Sequence, residues 1–275
     1  MLTSSEQIEI QELQRECEAA DLIKLKLNWE MLRNRRGNES NDFLHYEDGK
    51  LAAFLGVYHF GNKVEICGMV KPEYRRKGIF SNLMNASLAS CKERKVREIL
   101  LNAPANSEAA KGFLKTIPSE FSISEYQMKW SETEAAYDES VTLRPSAPED
   151  LAVEIMLDVK CFGLLEQEAA DHYQSIKREE DQDFHMIEYK NKTVGKMRVS
   201  HSNQEAWIYG FAILPEYQGK GIGRKALKNV IRKEHGNGYS IFLEVEAKNA
   251  HALKLYESCG FKAFHVQDYY LYTGN

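Results

Sequence analysis

The chain has 275 residues, 43% hydrophobic and 28% charged, and its 36 Lys and Arg against 41 Asp and Glu give a formal net charge of −5 at pH 7. The basic residues are spread along the chain, so it lacks the clustered basic face that nucleic acid needs, and no apolar run approaches the ~18 residues of a membrane span. The length exceeds the roughly 100–200 residues of one domain. The N-terminus, Met1-Leu2-Thr3-Ser4-Ser5-Glu6, has no basic segment leading into an apolar stretch, so the chain is expected to carry no signal peptide and to be cytoplasmic. Cys17, Cys67, Cys91, Cys161 and Cys259 are odd in number, scattered and never paired as Cys-x-x-Cys, which argues against both a disulfide framework and a metal site.

Residues 1 to about 40 read as helical, with Ile8, Ile10, Leu13 and Cys17 and then Leu22, Leu25, Trp29 and Leu32 near helical spacing, ending at the polar run from Arg33 to Asn38. From Phe43 to Val57 the pattern is that of strands, with Glu47-Asp48-Gly49-Lys50 as a hairpin turn. A strand from Val64 to Val70 leads through Pro72-Glu73-Tyr74 to a helix from about Ile79 to Lys92, and a strand follows at Val96 to Leu101. The acidic stretch from Ser131 to Ser140 reads as a boundary, giving domains 1–137 and 138–275. Beyond it, Val141 to Pro145 forms a strand and Pro148-Glu149-Asp150 begins a helix. An apolar strand from Trp207 to Leu214 then enters the loop from Pro215 to Gly221. The next helix carries Ala226, Leu227, Val230 and Ile231 in one stripe. Tyr239 to Val245 alternates as a strand, and Asn249 caps a short helix that closes at Gly260.

A shift of 143 residues lays the chain on itself. Pro72-Glu73-Tyr74-Arg75-Arg76-Lys77-Gly78-Ile79 falls on Pro215-Glu216-Tyr217-Gln218-Gly219-Lys220-Gly221-Ile222, and Tyr46, Asn106, Ala109, Lys111 and Tyr126 fall on Tyr189, Asn249, Ala252, Lys254 and Tyr269. The hairpin turn of the second copy is expected at Asn191-Lys192. A repeat this long is a duplicated domain, not a solenoid period of roughly 20–50 residues.

Gln218-Gly219-Lys220-Gly221-Ile222-Gly223 stands between a strand and a helix, where bare backbone amides and the helix dipole favour an anion, and Lys220 and Arg224 add charge. Alone, this is the spacing of an ordinary turn as much as of a diphosphate site. Neither Gly-x-x-x-x-Gly-Lys-Ser/Thr nor the dinucleotide fingerprint fits it. On the short helix, Asn249, Ala252 and Tyr256 lie along one line, with Leu255 and Cys259 turned toward a core. This stripe suits a ligand lying across the helix, or else a tyrosine packed on the sheet with its hydroxyl at the surface.

The ordered set Gln-x-x-Gly-x-Gly after a strand, then Leu243-Glu244-Val245, then Asn249-x-x-Ala252-x-x-Leu255-Tyr256-x-x-x-Gly260-Phe261, resembles the GNAT superfamily of acyl-CoA-dependent N-acyltransferases over residues 141 to 275. The tandem layout is similar to that of two-domain members such as mycothiol synthase. The resemblance implies an α/β fold of two tandem domains, each a mostly antiparallel mixed sheet flanked by helices. It implies acetyl-CoA as co-substrate and no metal. Its pyrophosphate would be held by the amides of Gln218, Gly219, Lys220, Gly221, Ile222, Gly223 and Arg224, and its pantetheine by Phe211, Ala212 and Ile213, with Asn249 and Ala252 beside it. Tyr256 resembles the general acid, and Glu244, Glu246 or a water the base.

In the first copy Tyr256, Glu244, Glu246 and Gly223 are matched by Phe113, Leu101, Ala103 and Phe80. The expectation is therefore a silent, degenerate N-terminal domain and a C-terminal domain that acetylates a primary amine. The amine is expected to belong to a small molecule, with a peptide or protein N-terminus as the alternative. A non-catalytic acyl-CoA-binding or interaction protein is the competing class. Acceptor identity and oligomeric state are not legible.

Overall fold

The computed structural model describes residues 2–35, 40–60, 63–132, 138–177 and 181–274. The first repeat contains α1 (Ser4–Asp21), α2 (Trp29–Arg33), β1 (Asp42–Glu47), β2 (Lys50–Phe60), β3 (Lys63–Val70), α3 (Ile79–Glu93), β4 (Glu98–Pro104), α4 (Glu108–Leu114) and β5 (Ser119–Trp130). The second contains β6 (Val141–Pro145), α5 (Leu151–Phe162), α6 (Glu166–Ile176), β7 (Gln182–Tyr189), β8 (Lys192–Ser202), β9 (Glu205–Ile213), α7 (Ile222–Gly236), β10 (Ser240–Glu246), α8 (Ala250–Ser258) and β11 (Phe261–Tyr272).

Local chemistry accounts for most boundaries. Thr3 and Glu6 form a reciprocal capping box that starts α1. The single helical segment expected over 1–40 is two helices, because Leu22 and Asn28 both take left-handed backbone angles, φ 54° and 44°. Leu27 between them packs as an extended residue, 1% exposed, beneath Leu13 and Phe54. The polar run expected to end that segment lies partly outside the described residues. Asp48 and Gly49, at φ 49° and 73°, make the two-residue turn joining β1 to β2. In the second copy the turn is Lys190-Asn191, φ 51° and 58°, one residue earlier than the repeat alignment places it.

Two compact units emerge, residues 1–124 with 266–275 and residues 125–265. The expected boundary between 137 and 138 adjoins residues 133–137, which lie outside the described residues. The units differ from the repeats because the last strand of each repeat is paired in the other unit. In the N-terminal unit the strand order is β1-β2-β3-β4-β11, with Gln267–Leu271 of β11 antiparallel to β4. In the C-terminal unit it is β5-β10-β9-β8-β7-β6, with Glu125–Lys129 of β5 antiparallel to β10. Met128 and Tyr269, on the exchanged strands, are 0% and 1% exposed, so both segments are core.

Each sheet is covered on both faces. In the N-terminal unit α1 and α2 pack on Phe54 and Tyr58, while α3 and α4 pack on Leu55, Ile66 and Leu101. In the C-terminal unit Ala226, Leu227, Val230 and Ile231 of α7 are fully buried against Ile208, Ile241 and Leu243, as the stripe required. Leu157 of α5 closes the other face with Met186 and Ala212. No helix among the described residues is long and apolar enough to cross a membrane.

Candidate active site

In the C-terminal unit β9 and β10 run parallel from Glu205 and Ser240 to Ile208 and Leu243, where the pairing stops. On its other edge β9 is bulged against β8. Arg198 lies opposite Tyr209 and Lys196 opposite Ala212, so Met197 alone faces Gly210 and Phe211. Gly210 has φ 56°, a conformation that L side chains resist. Such a bulge twists a strand and re-aims its backbone groups. Beyond Ile208 the rest of β9, including Phe211, Ala212 and Ile213, has no ladder partner on β10. The corresponding strand of the N-terminal unit, β3, pairs with β2 in unbroken register.

The glycine loop follows directly. Gly219 and Gly221 are left-handed at φ 73° and 76°, and Gly221 caps α7, leaving the first-turn amides without helical partners. Gln218 donates from Nε2 to the Ile213 carbonyl at 2.8 Å, and Lys220 from Nζ to the Glu216 carbonyl at 2.7 Å. These side chains therefore brace the loop, while Arg224 is exposed at the helix start. A Cβ placed on Gly223 would lie 3.5 Å from Phe211, 3.6 Å from Leu255 and 3.7 Å from Ile213, so loop, strand and α8 converge there.

Along α8 the expected stripe is only partly realised. Asn249 caps the helix, its Oδ1 accepting from the Ala252 amide at 3.1 Å, so that oxygen is committed. The line of Asn249, Ala252 and Tyr256 runs from the surface at Asn249 into the core at Tyr256. Tyr256 lies with Cys259 in the core, 9% exposed, while Ala252 and Leu255 pack at the core's edge. The reason is that α8 turns its phenol-bearing face down onto the sheet beside Phe261. Burial pushes the Tyr256 hydroxyl up to about 12, and it stays protonated at neutral pH.

Strand alternation sends Leu243 and Val245 into the same core as Tyr256 and turns Glu244 and Glu246 to the opposite face. Gln127 of the exchanged strand β5 donates to Glu244 Oε1 at 2.9 Å, and Glu246 pairs with Lys248 at 3.0 Å. A proton donor and a carboxylate thus stand on opposite faces of the sheet, each near the point where β9 and β10 part.

The chain matches the Acetyltransferase (GNAT) family over residues 7–116 and again over 152–261. The chain belongs to the GNAT acetyltransferase family. It is 39% identical over 70 residues to the [Ribosomal protein bS18]-alanine N-acetyltransferase of Escherichia coli (strain K12), covering 25% of this chain and 47% of that one. Over 64 residues it is 38% identical to the Spermine/spermidine N(1)-acetyltransferase of Bacillus subtilis (strain 168), covering 22% of this chain and 42% of that one. Each match thus spans about half or less of the curated relative. A GCN5-related N-acetyltransferase from Sphaerobacter thermophilus shares the fold at TM-score 0.77 and 19% identity, over 96% of this chain and 91% of that one.

Among the positions sequence reasoning missed, Gly210 had a signal in its lone glycine within an apolar strand. Gln127 had none, since its place depends on the strand exchange. A recess of about 60 Å³ adjoins Gly210 on the α5 face, where Lys196 pairs with Asp158 at 2.7 Å and Tyr173 donates to Glu154. Asp183, His201 and Glu234 place donor atoms within 4.8 Å of one another, but the Lys233 ammonium already lies 2.8 Å from Asp183 and 3.5 Å from Glu234. This trio is accordingly an ion-pair cluster. A larger cavity, of about 440 Å³, lies in the N-terminal unit among β3, β4, α3, α4 and the end of α1.

Proposed function

We propose that the C-terminal unit transfers acetyl from acetyl-CoA to a primary amine of a small molecule. The observation that carries this reading is the end of the β9–β10 ladder at Ile208 and Leu243, beside the Gly210 bulge, with a protonated Tyr256 on one face of the sheet and the Glu244 carboxylate on the other. Residues 218–224 offer amides to the pyrophosphate, and Phe211 to Ile213 offer strand edges to the pantetheine. Glu244, directly or through water, takes the proton from the ammonium, with Glu246 as the second carboxylate on that face. The freed amine lone pair forms the C–N bond as the C–S bond breaks, and Tyr256 gives its proton to the departing thiolate. No metal takes part in this scheme, and a cytoplasmic location accompanies it. The N-terminal unit, with Leu101 and Phe113 at the corresponding places, performs no transfer.

The named relatives act on a protein alanine and on spermine or spermidine, both amines, which supports an amine acceptor. The test is release of free thiol from acetyl-CoA with a panel of polyamines, amino sugars, amino acids and an alanyl peptide. Turnover of a small amine is expected. Turnover of the peptide alone would shift the acceptor class, and no release with any amine would leave a binding protein.

A further inference from the structure

On the face of the C-terminal sheet that carries Glu244, three aromatic rings stand together. Strand alternation puts Trp207 and Tyr209 of β9 and Phe242 of β10 there, and Trp207 lies directly opposite Phe242 in the parallel ladder. Trp207 stacks on Phe242 at 4.9 Å and 15°, and on Tyr209 at 6.3 Å and 13°. A cation closes each end of this row. The Arg198 guanidinium of β8 lies 4.8 Å from the Tyr209 ring centre, and the Lys129 ammonium of β5 lies 5.2 Å from that of Phe242. Trp207 Nε1 donates to Glu205 Oε2 at 2.8 Å, which fixes the central ring. Phe264, 42% exposed, meets Phe242 at 5.7 Å and 63° and forms a side wall.

Helix packing does not account for the row. α5 packs on Ala212 and Leu214, beyond the bulge, while Trp207 and Tyr209 are half-buried and Gly210 is exposed. Aromatic surface grouped on an uncovered strip of sheet marks a binding face. The geometry also selects what binds. The ring faces are largely turned to one another and to the two cations, so the row presents ring edges, which carry the positive part of the aromatic quadrupole. A saturated body meets those edges by contact area alone. An aromatic ring laid across them gains the edge-to-face arrangement that aromatic pairs favour, and the flanking cations also favour its face. Glu244 is the next residue of β10 on this face, about 7 Å along the strand from Phe242. A ring over the row and an ammonium at Glu244 are therefore joined by a short alkyl spacer.

We propose that the acceptor is an arylalkylamine, its ring lying across the edges of Tyr209, Trp207 and Phe242 and its ammonium at Glu244. The proposal rests on acetyl transfer by the C-terminal unit and names the class of amine.

The test compares 2-phenylethylamine with 2-cyclohexylethylamine, which share the ammonium and the spacer and differ in the ring. Both are followed by thiol release from acetyl-CoA and by calorimetric titration of the full chain, in the wild type, Trp207→Leu and Phe264→Leu. The expected result is a KM and a Kd about tenfold lower for the phenyl compound, a preference that falls to about one in Trp207→Leu and by about threefold in Phe264→Leu. Melting temperatures check that the variants fold, and Phe264, being exposed, carries the test if Trp207→Leu is destabilised. Equal constants for the two amines in the wild type overturn the proposal, as does a preference that survives in both variants. Transfer to the cyclohexyl compound alone overturns it while leaving acetyl transfer standing. No thiol release with any amine defeats the transfer reading instead. The titration then still decides the site: phenyl-selective binding lost in Trp207→Leu upholds it, and no binding overturns it.

Discussion

A phenyl ring and a glycine change places between the two units. In the N-terminal unit Phe80 on the helix covers Gly68 on the strand, whereas in the C-terminal unit Phe211 on the strand faces Gly223 on the helix. The same space is filled from opposite walls. Where the helix is bare, its first-turn amides are open to an anion and the strand is bulged for close backbone contact. Where the strand is bare, the register is unbroken and an apolar cavity remains. Duplication therefore kept the fold and changed the cleft: one copy retains Tyr256 and Glu244, and the other keeps volume.

The comparison breaks most visibly at the carboxylate. Glu244→Gln should lower kcat/KM about 10²- to 10⁴-fold in steady-state assays with the active amine, and Leu101→Met, at the matching sequence position of the N-terminal unit, should leave it unchanged. A fall with Leu101→Met would mean that the first copy takes part in transfer. The bulge is next in size. Gly210→Ala puts a Cβ on a backbone at φ 56° and should cost about 1–2 kcal/mol in denaturant unfolding, with a raised KM for acetyl-CoA. Cys67→Ala, at the matching place in the unbulged β3, should leave that KM unchanged.

The smallest effect concerns acid stability. Arg144 holds both Asp150 carboxylate oxygens at 2.6 and 2.7 Å and lowers that group to about 2, against about 4 unfolded. Because the folded value is depressed, the stabilisation is present above about pH 4 and is lost as pH falls toward 2. Asp150→Asn should flatten the change in C-terminal unit stability between pH 5 and pH 3, followed by urea unfolding. The corresponding positions in the first copy hold Met1 and Gln7, so no such clamp is expected to act there.

Much of this was legible beforehand, for local reasons. The Asp48-Gly49 turn, the Asn249 cap and the glycine start of α7 are each dictated by backbone angles or orphan amides that few residues satisfy. The strand exchange was not legible, because Tyr126 and Tyr269 occupy equivalent positions and either strand fits either sheet. The break between α1 and α2 was hidden by leucines that keep helical spacing while Leu22 and Asn28 turn left-handed. Tyr256 was placed on the right helix, but whether its face met a ligand or the sheet was left open, since a helical wheel orders residues around an axis without saying which side meets the sheet. The N-terminal cavity depends on Gly68 and Gly112 together, residues far apart in the chain whose missing side chains have meaning only after packing.

The central claim, that transfer belongs to the C-terminal unit alone, is tested most directly by kcat at saturating acetyl-CoA and amine for Tyr256→Phe beside Phe113→Leu. The account predicts a fall of about 10²-fold or more for Tyr256→Phe and an unchanged rate for Phe113→Leu. Full turnover in Tyr256→Phe, with loss in Phe113→Leu, would contradict it.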